Sequence, residues 1–146
     1  MIGHAAAVLA SGCLAALAAL HVYWGVGGVW PARDERGLVA LVVGVTPTGR
    51  MPGLGACIVV TALLGFTAIV PLVARGLISA PWPDALTTLA LWGAAFVLLA
   101  RGLLGYLDRR LRPGIVGLPY DRWNRALYSP LCVALAGCLA ASATLP

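Results

Sequence analysis

His21 and Trp24, three residues apart near the end of the first apolar stretch, are the first pair in the sequence suited to chemistry. An imidazole inside an apolar segment can carry a proton, and an indole one helical turn away can wall its site. Arg101, Gly105 and Asp108 follow an i, i+4, i+7 pattern that places all three on one stripe of a helix. A guanidinium and a carboxylate so placed suit the orientation of a polar group and the stabilisation of developing negative charge. Asn124, Tyr128 and Cys132 are four apart and share a face if their helix is continuous. Trp30, Arg33, Asp34 and Glu35 lie in the connection that follows His21.

In a catalytic reading, His21 moves a proton with Asp108 or Glu35 as acid or partner. Arg101 and Tyr128 orient or stabilise negative charge, while Trp24, Trp30 and Asn124 complete the binding surface. Isomerisation or cyclisation of a small lipophilic molecule fits better than redox chemistry. The four cysteines (Cys13, Cys57, Cys132 and Cys138) form no Cys-x-x-Cys pair, and no cofactor motif is evident. Hydrolysis stays open. Plainer roles exist for each residue: Arg101 snorkelling to headgroups, Asp108 pairing with Arg112, His21 bonding a neighbouring helix, and Trp24, Trp30 and Trp123 anchoring at the interface. The only histidines, His4 and His21, fall at opposite ends of one span, so no protein-built metal site is expected. Gly25-Val26-Gly27-Gly28 follows a helix and lacks the dinucleotide fingerprint, so no cofactor is expected either.

The elements that must position these residues follow from composition. Of 146 residues, 61% are hydrophobic and 10% charged, too much apolar surface for a small water-soluble domain to bury. A helix needs about 20 apolar residues to cross roughly 30 Å of hydrocarbon. Four segments satisfy this, at about 5–24, 54–73, 83–111 and 124–145. The expected fold is therefore an all-α integral membrane protein, a single four-transmembrane-helix bundle.

The ten basic residues are all arginine and lie mostly between apolar stretches, a pattern of membrane topology rather than nucleic-acid binding. Arg33, Arg36, Arg50, Arg109, Arg110, Arg112, Arg122 and Arg125 flank one end of the spans, and only Arg75 lies in the second connection. The positive-inside rule then puts the first and third connections in the cytoplasm and the N- and C-termini outside. An inner (plasma) membrane location follows. Ala10-Ser11-Gly12-Cys13 faintly resembles a lipoprotein cleavage site, but the apolar run continues to Trp24, so a retained span is expected.

Local signals refine the ends. Pro83 suits a first helical turn, and Pro113-Gly114 stops the third helix after Arg112. The fourth starts either with Ser129 as cap and Pro130 in its first turn, or earlier at Asp121 with a kink at Pro130. Pro71 kinks or ends the second span. In the long connection 25–53, the apolar run Leu38 to Val43 is too short to span and suggests a re-entrant or interfacial segment. Cys13 and Cys138 fall in the same membrane half, which is compatible with a disulfide.

The segments His21-Val22-Tyr23-Trp24-Gly25, Gly28-Val29-Trp30-Pro31 and Tyr128-Ser129-Pro130-Leu131-Cys132 resemble the paired signatures of a bacterial family. It is the set of small four-span membrane proteins catalogued as domain of unknown function 3995. The resemblance covers the whole chain and implies fold and membrane location, but no activity. It also implies an acidic residue four before the tyrosine; this chain carries Asn124 there, so no carboxylate is expected to act at that position.

The leading expectation is a polar cavity at the cytoplasmic end that takes a small lipophilic molecule, with membrane lipids as the other partners. The rival is a non-catalytic accessory subunit or small transporter forming homo-oligomers, with Thr61, Gly65, Gly102 and Gly105 serving helix packing.

Overall fold

A computed structural model describes residues 1–145. Four helices are long and apolar enough to cross a membrane: Ile2–Gly25, Leu54–Ala74, Asp84–Gly105 and Pro119–Thr144. In chain order the elements are α1 (Ile2–Gly25), α2 (Glu35–Leu38), α3 (Leu54–Ala74), α4 (Asp84–Gly105), α5 (Asp108–Leu111), α6 (Pro119–Trp123) and α7 (Ser129–Thr144). Wider π turns continue α2 over Val39–Val43 and join α6 to α7 over Asn124–Tyr128. No strand is present among the described residues.

The spans form a ring in which α1 packs on α3 and α7, and α4 packs on α7 and α3. Helices α1 and α4 stand across the diagonal. Lipid tails are as apolar as leucine, so close packing rather than escape from solvent must hold such a bundle. Alanine supplies that closeness on α1, where Ala7, Ala10 and Leu14 have no exposed surface. The shared core is Ala10, Leu14, Ala68, Val70, Leu91, Ala95, Leu135 and Leu139. Val59, Leu63, Leu89, Phe96 and Val97 point outward, as a lipid-facing surface requires.

The small residues of the α4–α7 contact are used inside the chain. A Cβ at Gly102 would lie 2.7 Å from Val133 Cγ2 and 3.0 Å from the Ser129 carbonyl oxygen, while one at Gly105 would overlap Ser129 Oγ. Thr61 donates to the Ala18 carbonyl of α1, whereas Gly65 meets nothing.

Several helix ends differ from the sequence expectation. The third span stops at Gly105, and Tyr106-Leu107 separate it from the single turn of α5. The fourth begins at Pro119, with Leu118 as N-cap; neither Ser129 nor Asp121 caps it. Ser129-Pro130 instead lie within a continuous helix, immediately after the π turn. Proline lacks an N–H and its ring crowds the carbonyl four residues earlier, and a widened turn accommodates both. Helix α3 runs one turn past Pro71 to Ala74.

The apolar run 38–43 is helical. Asp34 Oδ1 caps its start by accepting the Gly37 N–H at 2.7 Å, and Leu38 and Val39 are buried. It ends at Gly44, whose φ of +88° is the left-handed region that glycine adopts freely. A Cβ there would also press on Tyr120 and Ile115 at 3.0 Å. All four cysteines are free thiols, so Cys13 and Cys138 are not bridged.

Candidate functional site

The break after Gly105 decides the geometry of the arginine-rich end. Because α4 stops there, the Gly105 carbonyl has no helical partner above it, and Asn124 Nδ2 donates to it at 2.8 Å. The π turn holds Asn124 in place: it is 1% exposed, and the Ser129 N–H closes the turn on the Asn124 carbonyl. Asn124 Oδ1 accepts from Arg101 Nη2 at 3.1 Å and from Ser129 Oγ at 3.3 Å. Its Nδ2 also reaches Asp108 Oδ2 at 3.2 Å.

Asp108 is the second hub. Its Oδ2 accepts from Tyr120 OH at 2.8 Å and forms an ion pair with Arg112 Nη2 at 2.9 Å. Arg112 also donates to Tyr120 OH at 2.9 Å and stands 5.1 Å from the centre of that ring. Arg101 Nη2 reaches Tyr120 OH at 3.3 Å. Three helices (α4, α6 and α7), the single turn of α5 and a π turn thus share one hydrogen-bonded network. The α2 segment closes over it, with Tyr128 OH donating to the Leu41 carbonyl at 3.2 Å and Arg112 Nη1 to the Val43 carbonyl at 3.4 Å.

The remaining sequence-derived site residues lie elsewhere. His21 Nδ1 is 2.7 Å from the Leu17 carbonyl, and its ring meets Trp24 edge-on at 5.2 Å. Trp24 Nε1 donates to the Trp30 carbonyl at 2.8 Å, folding the exposed Trp30 back towards α1. Glu35 is exposed, and its Oε1 accepts the Met51 N–H at 3.0 Å, tying together the two ends of the long loop. So Arg101, Asp108 and Asn124 come together, Tyr128 borders them, and His21, Trp24 and Trp30 form a separate group. Glu35 belongs to neither. The separation follows from the ring order, which keeps α1 and α4 apart. Two concave regions stand out, and neither is lined by His21, Arg101 or Tyr128. One lies at the opposite end of the bundle, with Arg75, Asp84, Thr87 and Ser142 in its walls; the other is a surface groove beside Arg109.

Sequence reasoning missed Tyr120, which is 3% exposed and touches every charged member of the network. The available signal was its place directly after Pro119, one turn before Asn124, had the helix start been read at Pro119. Among the described residues, no group of three or more His, Cys, Asp or Glu gathers as metal ligands would.

The profile of a family described as "Protein of unknown function (DUF3995)" matches residues 14–139. The chain belongs to this family. No curated protein and no solved structure matches it. The family match runs from Leu14 in α1 to Leu139 in α7, and so contains the Arg101–Asp108–Asn124 network and the His21 group alike.

The charges of the network are not equally committed. Burial pushes the Asp108 carboxyl up, but hydrogen bonds from Arg112 and Tyr120, with the charges of Arg112 and Arg101, more than offset it and leave it below its ordinary 3.8. The Arg112 guanidinium is held above its ordinary value, chiefly by its bond to Asp108. An unfolded chain therefore takes up the Asp108 proton more readily than the folded one. The stability this carboxylate contributes is fully present well above 3.8, starts to fall near about pH 5 and is lost as pH drops through 3.8 and below. Denaturation of the solubilised protein between pH 7 and 3 is expected to show that loss, and Asp108→Asn is expected to flatten it.

Proposed function

We propose that this family member is a plasma-membrane protein that binds a small lipophilic molecule at the arginine-rich end of its bundle, which faces the cytoplasm. One observation carries the reading. Arg101, near the end of a membrane-spanning helix, has no carboxylate within ion-pair distance among the described residues; its hydrogen bonds go to the neutral Tyr120 hydroxyl and Asn124 amide. Asp108, the nearest acid in the network, is engaged by Arg112, Tyr120 and Asn124. Arg101 is exposed one turn from the end of its span, and a guanidinium held there by two neutral groups is suited to a ligand's anionic or carbonyl oxygen. The eight flanking arginines at this end support the cytoplasmic orientation.

His21 supports a further reading of this function, acid–base chemistry of the isomerase or cyclase kind. A carbonyl can only accept, so the contact with Leu17 makes Nδ1 the donor. That leaves Nε2, which has no hydrogen-bond partner among the described residues, as the ring atom that would exchange a proton with a ligand. The distance across the bundle from α4 sets a condition on this chemistry: the ligand itself must bridge from Arg101 to His21.

Mass spectrometry of lipophilic molecules retained by the purified protein tests the proposal. Arg101→Gln is expected to weaken retention about tenfold to a hundredfold, the worth of one hydrogen-bonded charge. His21→Gln is expected to keep retention and to abolish any turnover of the retained compound. Equal retention by wild type and Arg101→Gln would favour the non-catalytic accessory role.

A further inference from the structure

A second basic feature lies outside the network, on the surface of the same end. Arg109, Arg122 and Arg125 line one groove together with Tyr106 and Ala126. Arg109 is fixed there because Asp121, 4% exposed, accepts its Nε at 2.7 and 2.9 Å and its Nη2 at 2.7 Å. Arg122 and Arg125 are exposed and make no hydrogen bond or ion pair among the described residues. Three guanidinium groups thus face a single carboxylate.

We propose that this groove binds the headgroup of an anionic phospholipid. Charge complementarity selects an anion, and the surroundings select a lipid rather than a soluble phosphate. The groove sits where α4 ends and the Pro119–Thr144 span begins. Tyr106 in its wall and the nearby Trp123 are both about half exposed, the placement of aromatic rings at headgroup level. Leu103, one turn before Tyr106, is exposed on the membrane side and offers a surface for acyl chains. Arg122 and Arg125 take the phosphate, and the pinned Arg109 adds the part of its guanidinium that Asp121 leaves free. Basic pockets at the ends of transmembrane helices recognise anionic headgroups in this way, each arginine contributing roughly a factor of five to binding. Unlike the Arg101 site, this one needs no small lipophilic ligand, so the two stand or fall separately.

The full-length protein, reconstituted in vesicles of equal phosphatidylglycerol and phosphatidylcholine, provides the test by native mass spectrometry of retained lipids. Wild type is expected to retain phosphatidylglycerol preferentially, and Arg122→Gln/Arg125→Gln to lose that preference tenfold or more. The control Arg33→Gln/Arg36→Gln removes the same charge from the other loop at this end and is expected to keep it. If the glutamine pair fails to fold, Arg122→Lys/Arg125→Lys serves instead and is expected to keep the preference at reduced strength. No preference in wild type, or equal loss in the control, overturns the proposal. So does inorganic phosphate at millimolar concentration displacing the lipid, since that would make the groove a site for the free ion.

Discussion

Asn124→Leu is expected to lower the stability of the bundle by about 2–4 kcal/mol, read as a shift in its denaturation midpoint in detergent. Leucine keeps the volume of a 1% exposed side chain but removes four hydrogen bonds at once. A hydrogen bond inside a membrane bundle averages about 0.6 kcal/mol and reaches about 1.7. Two of these four involve charged partners, Arg101 and Asp108, which moves the sum towards the upper figure. The Gly105 carbonyl, freed by the end of α4, would lose the donor that satisfies it. Asn124→Asp is expected to recover only part of the loss. A carboxylate can accept from Arg101 and Ser129, but it cannot donate to Gly105, and it would face Asp108 as a like charge. The two-sided network therefore calls for an amide at this position rather than an acid.

The second large effect is expected at the α4–α7 crossing. Gly102→Ala brings a methyl within 3.0–3.1 Å of the Ser129 carbonyl oxygen and the Val133 nitrogen, both backbone atoms that no side-chain rotation can move. Helix α7 must shift, and overpacking of this kind costs about 1–3 kcal/mol. Gly105→Ala meets a side chain instead, the Ser129 hydroxyl, together with a flexible Arg101 nitrogen at 2.8 Å. Its cost is expected to be similar but to fall when Ser129→Ala is added, because the overlapping oxygen is then gone. A double-mutant cycle on denaturation midpoints measures that coupling. Without it, the contact at Gly105 is not what holds these helices together.

The residues that sequence alone placed correctly are those whose geometry is local. Span length is set by apolar run length, and the four helices long and apolar enough to cross a membrane correspond to the four runs in the chain. His21 against Trp24 and Asp108 against Arg112 are three- and four-residue spacings, and both pairs meet in the structure. What the tertiary structure alone decided is which of these local groups share a site. The ring order of helices sets His21 on the far diagonal from Arg101, and nothing in either segment encodes that order. Tyr120 enters the network because the last span begins at Pro119 and widens into a π turn, a choice made against the local signals of Asp121 and Ser129-Pro130. Gly44 passes beneath the Tyr120 ring only once the long loop has folded back onto that helix. Spacing along a helix is fixed by backbone geometry and can be read from one segment. Contact between helices depends on the packing of side chains drawn from several segments, and exists only when all of them are in place.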